Sequence, residues 1–307
     1  MKEERRKRKL KVESGSMPIR DSLTEITSRL ASVSDTPALD ASVLLARIVD
    51  RPRSWILAHP ELTLTDEQQD RLHESLARMQ NGEPFPYVLG RWEFFGLEFD
   101  VTPDVLIPRP ESELLVEKAI AWLQKNPTKI NVADIGTGSG AIAVSIAVNV
   151  PNAKILATDI SIKALQVAMR NAEKHGVSER IEFVECDVLP HPQPSPSGCY
   201  AISRWERGVN LLCANLPYIP TNTLKHLPVY QREPTLALDG GEDGLDLFRT
   251  LLNAIPNWLA PNALILLEIE SSHGKQTTQL ARQHFQNANI TLHQDLTGRD
   301  RLLEIQL

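Results

Sequence analysis

Residues 17–84 have the hydrophobic spacing of amphipathic helices. Apolar side chains recur every three or four residues, which places them on one face of a helix. These positions are Leu23, Ile26, Leu30 and Val33, then Leu39, Val43, Ala46 and Val49, then Leu72, Leu76 and Met79. Thr65 and Gln68 have the spacing of a capping box, which marks the start of the last of these helices. We predict a small helical bundle over residues 17–84.

An aromatic stretch follows over residues 85–108. Its residues favour β-structure, and Gly90 and Gly96 interrupt it at positions suited to turns. The β-favouring residues include Tyr87, Val88, Leu89, Trp92, Phe94, Phe95, Phe99 and Val101. We therefore predict strands or a β-hairpin over residues 85–108, as a linker between two domains.

Residues 109–307 alternate between helical periods and short apolar runs. The predicted helices are 111–125, 140–149, 161–175, 245–257 and 274–286, and the predicted strands are 130–135, 154–158, 181–185, 209–214, 262–269, 289–294 and 301–306. This alternation is typical of a doubly wound α/β sheet with helices on both faces. A proline-rich insertion at residues 191–198 is expected to form a loop between two of the strands.

Charge is spread unevenly over the 307 residues, of which 42% are hydrophobic and 23% are charged. Residues 1–11 contain seven Lys or Arg and two Glu, so residues 12–307 hold 26 basic and 37 acidic residues, a balance of −11. We expect residues 1–16 to form a disordered basic tail. Because the rest of the chain is acidic, we expect no stable nucleic-acid partner.

The sequence predicts neither a membrane span nor a signal peptide. No run of 18 apolar residues occurs, so no membrane span is expected, and the charged beginning lacks the apolar segment of a signal peptide. Cys186, Cys199 and Cys213 have no metal-ligand spacing and suit free thiols in a reducing compartment. We therefore expect a cytoplasmic protein without a metal site or a membrane partner.

Asn215-Leu216-Pro217-Tyr218 follows the apolar run Val209–Ala214. Such a run predicts a buried parallel strand, which the proline ends abruptly. In open α/β sheets, ligands bind at the carboxyl ends of strands. The tetrapeptide therefore either marks a plain turn or places an amide, a rigid kink and an aromatic ring at a binding edge.

A glycine-rich loop occupies the same predicted edge. Strand 130–135 runs into Gly136-Thr137-Gly138-Ser139-Gly140, where glycines permit a tight turn and close approach of backbone N–H groups to a ligand. The spacing differs from that of the dinucleotide fingerprint. Asp159 ends the next strand, where it can accept hydrogen bonds from a ribose diol, and Asp187 follows the strand after that. Together these positions predict a nucleoside-binding site.

These residues resemble the class I S-adenosylmethionine-dependent methyltransferases. The resemblance implies a seven-stranded, mostly parallel sheet whose last strand is antiparallel, and S-adenosylmethionine as the methyl donor. It also implies that Gly136, Thr137, Gly138, Ser139 and Gly140 pass under the methionine moiety and that Asp159 holds the ribose. The remaining donor-site residues are then Asp187 and Val188, which border the adenine, and Asn215.

The tetrapeptide suits a methyl acceptor that is an NH2 group, either of an amide or of an aromatic base. An amide or aromatic NH2 is a poor nucleophile because its lone pair is delocalised, and a transferase assists it by accepting hydrogen bonds from both N–H groups. The Asn215 side-chain oxygen and the Leu216 carbonyl can accept those bonds, Tyr218 can stack beside the group, and Pro217 fixes the turn. A glutamine amide and an adenine amino group fit this arrangement equally.

Three further blocks are similar to the HemK family of protein N5-glutamine methyltransferases, nearest to its bacterial release factor branch. The blocks are Val105–Glu113, Glu233–Leu245 and Asp295–Arg301. The resemblance implies methylation of the glutamine in the Gly-Gly-Gln loop of class 1 peptide chain release factors. It assigns catalysis to Asn215, Pro217 and Tyr218, and substrate binding to Asn215, Leu216, Pro217, Tyr218, Arg109 and Glu111. The small helical domain would grip the protein substrate.

Two departures from the family pattern keep alternatives open. Leu216 stands where the family usually has proline, and Asn-Leu-Pro-Tyr is also typical of rRNA adenine dimethyltransferases, so adenine-N6 methylation of rRNA or DNA is the alternative. Val188 stands where an aromatic residue is frequent. A nucleoside-binding protein without catalysis is the third possibility. Arg109 and Glu111 also suit a simple ion pair at a helix start, and Glu268 and Glu270 are left without a role.

Overall fold

The computed structural model describes residues 17–189, 205 and 208–307, and the chain divides into two compact units, Met1–Leu89 and Gly90–Leu307. The predicted basic tail and the proline-rich insertion lie outside the described residues. Within the described part of the chain, no helix combines the length and the apolar character that a bilayer span requires.

The first unit is helical, as predicted. Its helices are α1 (Ile19–Leu30), α2 (Pro37–Val49), α3 (Arg53–Ala58), α4 (Asp66–Gln80) and α5 (Phe85–Leu89). The predicted capping box is confirmed, because Thr65 Oγ1 accepts from the Gln68 N–H at 3.2 Å and Gln68 Oε1 accepts from the Thr65 N–H at 3.0 Å. Buried Ile26, Leu44 and Leu76 form part of the core of this bundle.

The predicted β-structure is wrong for Phe85–Leu89, which forms the short helix α5. The amides of Tyr87 and Val88 both donate to the Pro84 carbonyl, which begins the helical turn. Burial of Tyr87 and Leu89 overrides the β-propensity of the aromatic and branched side chains. The linker predicted over residues 85–108 therefore starts with a helix.

The β-hairpin itself is present over fewer residues. Strand β1 (Arg91–Phe94) pairs antiparallel with β2 (Leu97–Asp100). Phe95 and Gly96 connect them, and both have positive φ, 52° and 70°. A two-residue turn of this kind matches the right-handed twist of the paired strands. Phe94 and Phe99 are fully buried and belong to the core of the second unit.

The second unit contains a seven-stranded sheet with the order β5-β4-β3-β6-β7-β9-β8. Its strands are β3 (Asn131–Ile135), β4 (Lys154–Asp159), β5 (Ile181–Glu185), β6 (Val209–Ala214), β7 (Leu259–Glu268), β8 (Asn289–Gln294) and β9 (Asp300–Gln306). Strands β3 to β7 are parallel, whereas β9 is antiparallel to both neighbours. This confirms the predicted class I methyltransferase fold.

Helices cover both faces of this sheet. They are α6 (Glu113–Lys125), α7 (Ala141–Asn149), α8 (Ile162–Lys174), α9 (Thr221–Leu224), α10 (Asp246–Ala254) and α11 (Gly274–His284). Alternate residues of one strand enter different cores: Leu211 and Cys213 lie in one, and Leu212 and Ala214 in the other. Burial on both faces explains why the central strands read as continuous apolar runs.

Candidate functional site

The glycine-rich loop follows β3 and leads into α7. Gly136, Gly138 and Gly140 all have positive φ, 69°, 56° and 79°. The Thr137 N–H donates to the Thr158 carbonyl at 2.8 Å, which ties the loop to β4. A Cβ on Gly140 would lie 3.0 Å from the Cβ of Ala168, so glycine there allows α7 and α8 to approach closely.

Buried polar groups support this loop from behind. Thr137 Oγ1 donates to Asp134 Oδ2 at 2.6 Å, and the Ala143 N–H donates to the same oxygen at 3.2 Å. Burial raises the pKa of Asp134 to about 7. The Ser139 carbonyl accepts from Asn171 Nδ2 at 2.8 Å. Thr137 and Ser139 are themselves buried, so they shape the loop.

Asp159 joins the end of β4 to the loop. Its Oδ2 accepts from the Gly138 N–H at 2.9 Å, and its Oδ1 accepts from the Ser161 N–H at 2.9 Å. Burial raises the pKa of this carboxyl. A carboxylate has about four acceptor positions, so a diol can still bind to Asp159.

A cavity of about 300 Å³ lies against these residues. Its lining includes Gly136, Gly138, Asp159, Asp187, Val188, Asn215, Leu216 and Pro217. Residues predicted separately for the donor and for the acceptor therefore share one cavity. Apolar side chains from elsewhere complete the lining, namely Val105, Leu106, Ile135, Ile160, Leu236 and Leu247.

Asp187 and Val188 follow β5 at one side of the cavity. Asp187 is exposed, whereas Val188 is buried and has a left-handed backbone with φ of 64°. The Val188 carbonyl accepts from Thr158 Oγ1 at 2.9 Å, which holds this unusual conformation for a branched residue. Val188 therefore offers an aliphatic wall at this side of the cavity.

Asn215 follows β6, and its amide is held from one side. Asn215 Nδ2 donates to Ser112 Oγ at 3.0 Å, and Ser112 Oγ donates to Glu268 Oε2 at 2.5 Å. No described residue bonds to Asn215 Oδ1, which leaves this oxygen as an acceptor. Burial raises the pKa of Glu268 to about 7. The sequence alone predicted no role for Glu268 or for Ser112.

Tyr218 also contacts Glu268, its Oη donating to Glu268 Oε1 at 3.5 Å. Burial and then the charge of Glu268 raise the pKa of the Tyr218 hydroxyl, so it stays protonated at neutral pH. Behind the tetrapeptide, a Cβ on Gly240 would lie 2.8 Å from both the Pro217 carbonyl oxygen and Tyr218 Cα. The Glu233–Leu245 block therefore packs directly on Pro217 and Tyr218.

Arg109 and Glu111 lie outside the cavity lining. Arg109 pairs with Glu233 rather than with Glu111, at 2.5 Å between Arg109 Nη2 and Glu233 Oε1. Glu111 is exposed in the short 3-10 turn Pro110–Ser112. Glu270 caps another such turn by accepting from the Ser272 N–H. The structure thus brings most of the predicted site residues to the cavity: Gly136, Gly138, Asp159, Asp187, Val188, Asn215, Leu216 and Pro217. The other predicted residues do not line it: Thr137, Ser139, Gly140, Tyr218, Arg109 and Glu111.

Taken together, the site joins the glycine-rich loop and a carboxylate to a free amide oxygen across one cavity. Such a site can hold a nucleoside with a cationic tail on one side and a planar NH2 group on the other. A Cβ on Gly138 would meet no atom within 4 Å, so the loop is open toward the cavity. The residues present therefore fit a bound S-adenosylmethionine.

Comparisons with known proteins agree with this reading. Residues 21–90 match the model of the PrmC N-terminal domain, and residues 111–217 match that of the methyltransferase small domain. A release factor glutamine methyltransferase of Moorella thermoacetica is 41% identical over 289 residues, covering 93% of this chain and 97% of the relative. That of Coxiella burnetii is 37% identical over 290 residues, covering 94% and 98%.

A solved structure is also similar to this chain. It is the protein-(glutamine-N5) methyltransferase of Alicyclobacillus acidocaldarius, 27% identical, with a TM-score of 0.41, covering 68% of this chain and 98% of that one. S-adenosylmethionine is the cofactor that the methyltransferase domain uses. The identity to the sequence relatives extends over nearly the whole of both chains. This chain belongs to the release factor glutamine methyltransferase family.

Proposed function

We propose that this protein methylates the side-chain amide nitrogen of the glutamine in the Gly-Gly-Gln loop of class 1 peptide chain release factors. The observation that carries the proposal is the 41% identity to a release factor glutamine methyltransferase over 93% of this chain. The acidic charge of residues 12–307 supports a protein substrate rather than a stably bound nucleic acid. Because release factors act there, the proposed location is the cytoplasm.

On the donor side, Gly136 to Gly140 and Asp159 hold S-adenosylmethionine. S-adenosylmethionine would supply a methyl group bound to a positively charged sulfur, and the bond from that sulfur to the methyl carbon would break as the acceptor nitrogen bonds to the carbon. Asp159 accepts from the ribose hydroxyls, and the open backbone at Gly138 admits the ligand closely. Asp187 and Val188, which line the cavity, would border the adenine ring.

On the acceptor side, Asn215 Oδ1 accepts from one N–H of the substrate amide, and the Leu216 carbonyl accepts from the other. These two bonds orient the nitrogen lone pair toward the donor, so positioning supplies most of the catalysis. Pro217 fixes the turn and Tyr218 forms the wall beside the amide. The nitrogen gains the methyl group and releases one proton.

The helical first unit is proposed as a grip for the protein substrate. Exposed apolar side chains on this unit supply contact area for such a partner: Val33, Leu39, Leu57 and Leu62. Arg109 and Glu111 are proposed to contact the polypeptide near the glutamine.

A labelling experiment tests the function. Purified protein is incubated with methyl-labelled S-adenosylmethionine and either a wild-type release factor or its variant with Ala in place of the loop glutamine. We expect label on the wild-type factor alone, mapped by mass spectrometry to the loop peptide. Equal labelling of both factors contradicts the proposal, and label on deproteinised rRNA or DNA would support the adenine alternative.

A binding experiment separates catalysis from simple nucleoside binding. Asn215→Ala is expected to bind S-adenosylmethionine but to lose at least tenfold in turnover, since an orienting hydrogen bond is removed. Donor binding without turnover by the wild-type protein would instead indicate a silent binding protein.

A further inference from the structure

We propose that Ser112 and Glu268 are positioning residues that determine which end of the Asn215 amide faces the methyl acceptor. This inference rests on the proposed function, because it requires Asn215 Oδ1 to accept a hydrogen bond from the substrate. Both residues are buried, and neither lines the cavity. They therefore act through Asn215, and Glu268 also contacts Tyr218.

Three distant parts of the chain bring these groups together. Asn215 comes directly after β6, Glu268 is the last residue of β7, and Ser112 closes the turn before α6. Strands β6 and β7 are paired, with Ala214 opposite Leu267, so Asn215 and Glu268 follow at neighbouring strand ends. Ser112 Oγ bridges them, at 3.0 Å from Asn215 Nδ2 and 2.5 Å from Glu268 Oε2.

The polarity of this chain of hydrogen bonds follows from the donors available. An ionised carboxylate only accepts, so the single proton of Ser112 must point to Glu268. The Ser112 oxygen can then only accept, and Asn215 must turn its NH2 group toward it. Because the two ends of an amide have nearly the same shape, this bond is what directs Asn215 Oδ1 away from Ser112.

Protonation of Glu268 on Oε2 would allow the reverse order. A protonated carboxyl can donate to Ser112, Ser112 can then donate to Asn215 Oδ1, and the Asn215 NH2 group would face the NH2 group of the substrate. The charged and titratable groups around Glu268 are Glu111, Arg301 and Tyr218, and burial raises the pKa of Glu268 to about 7. Turnover should therefore fall as the pH drops through this range.

Kinetics across pH 6–9 test the proposal in the full-length protein. For Ser112→Ala we expect about a tenfold lower kcat, an unchanged KM for S-adenosylmethionine, and loss of the acidic limb that depends on Glu268, because the relay is cut. Glu268→Gln should likewise remove this limb. Asp134 titrates in the same range, so the difference between the wild-type and variant profiles is the quantity to measure.

Two control variants show whether replacing any buried serine or acid alters the pH profile. Ser145→Ala changes a buried serine in α7, and Glu304→Gln changes a half-buried acid of β9 that bonds to His293. Both should keep the wild-type pH profile. Calorimetric binding of S-adenosylmethionine verifies that each variant is folded, and Ser112→Ala is the less disruptive of the two test variants.

Asn215→Ala separates the proposed function from the positioning role of Ser112 and Glu268. If it loses turnover while Ser112→Ala and Glu268→Gln keep the wild-type kcat and pH profile, the positioning role is overturned and the proposed function stands. If Asn215→Ala keeps full turnover, the role of Asn215 is wrong and the positioning proposal falls with it. Loss of the acidic limb in both test variants, with the controls unchanged, supports the proposal.

Discussion

Arg109 and Glu233 form a hydrogen-bonded ion pair. The side chain of Glu233 is buried, with 5% of its surface accessible, whereas that of Arg109 is 34% accessible. Glu233 Oε2 also accepts from the Ile107 N–H at 3.2 Å. One buried carboxylate thus holds the segment before α6 to the segment after the Asn-Leu-Pro-Tyr motif. Arg109, which the family resemblance assigned to substrate binding, forms a structural ion pair with Glu233.

We predict that Arg109→Ala lowers the free energy of unfolding by about 1–3 kcal/mol, because it leaves the buried Glu233 carboxylate without its charged partner. Urea denaturation followed by circular dichroism measures the change. Arg232→Ala, which removes an exposed arginine next to Glu233 in sequence, should change stability by less than about 0.5 kcal/mol. Equal losses in the two variants would contradict the structural role.

Gly240→Ala should disturb the acceptor side of the site. The added Cβ would lie 2.8 Å from the Pro217 carbonyl and from Tyr218 Cα, and these backbone atoms cannot move without shifting the motif. We expect kcat to fall about tenfold or more, since small displacements of orienting groups are costly. Gly298→Ala is the control, because it meets no atom within 4 Å and its strain comes only from its φ of 79°. Similar kcat values for both variants would refute the packing argument.

Asp159→Ala should weaken donor binding. It removes the acceptor of the Gly138 and Ser161 amides together with the proposed ribose contact. We expect the Kd for S-adenosylmethionine to rise about 10- to 100-fold, which corresponds to loss of one hydrogen bond to a charged group. Calorimetry measures this Kd. Glu185→Gln, an exposed acid paired with Asp159 in the β4–β5 register, should leave the Kd unchanged.

Asp134 should make stability depend on pH. Its folded-state pKa is raised by burial from 3.8 to about 7, so folding favours its protonated form. The resulting stability is fully present below about pH 4 and is lost as the pH rises to about 7. We predict that Asp134→Asn flattens the pH dependence of the unfolding free energy between pH 5 and 7, measured by urea denaturation. An unchanged slope would show that Asp134 is ionised in the folded protein.

Most of the sheet follows from local sequence. Strand Val209–Ala214 has the predicted bounds, because a strand buried on both faces is a short apolar run ended by a polar residue. The edge strand Ile181–Glu185 also has the predicted bounds. Phe85–Leu89 was mispredicted because the burial of Tyr87 and Leu89 depends on the rest of the first unit. Propensity alone does not contain that information.

The site likewise contains residues that the sequence predicted and residues that only the fold brings together. The glycines and acids that follow successive strands were predicted to lie together, since the carboxyl ends of parallel strands meet at one edge of the sheet. Gly136, Gly138, Asp159 and Asp187 do share the cavity. Ser112 and Glu268 were missed as a pair because they are 156 positions apart, and only the pairing of β6 with β7 brings Glu268 beside Asn215. The partner of Arg109 was missed for the same reason.

The position of Glu268 at the end of β7 also bears on the order of folding. The glycine-rich loop, Asp159 and their supporting hydrogen bonds all come from residues 131–185, so the donor side can form early as the chain is synthesised. The amide of Asn215 acquires its fixed direction only when residues 259–268 have joined the sheet. A nascent chain that ends before β7 would thus carry the glycine-rich loop without an oriented acceptor amide.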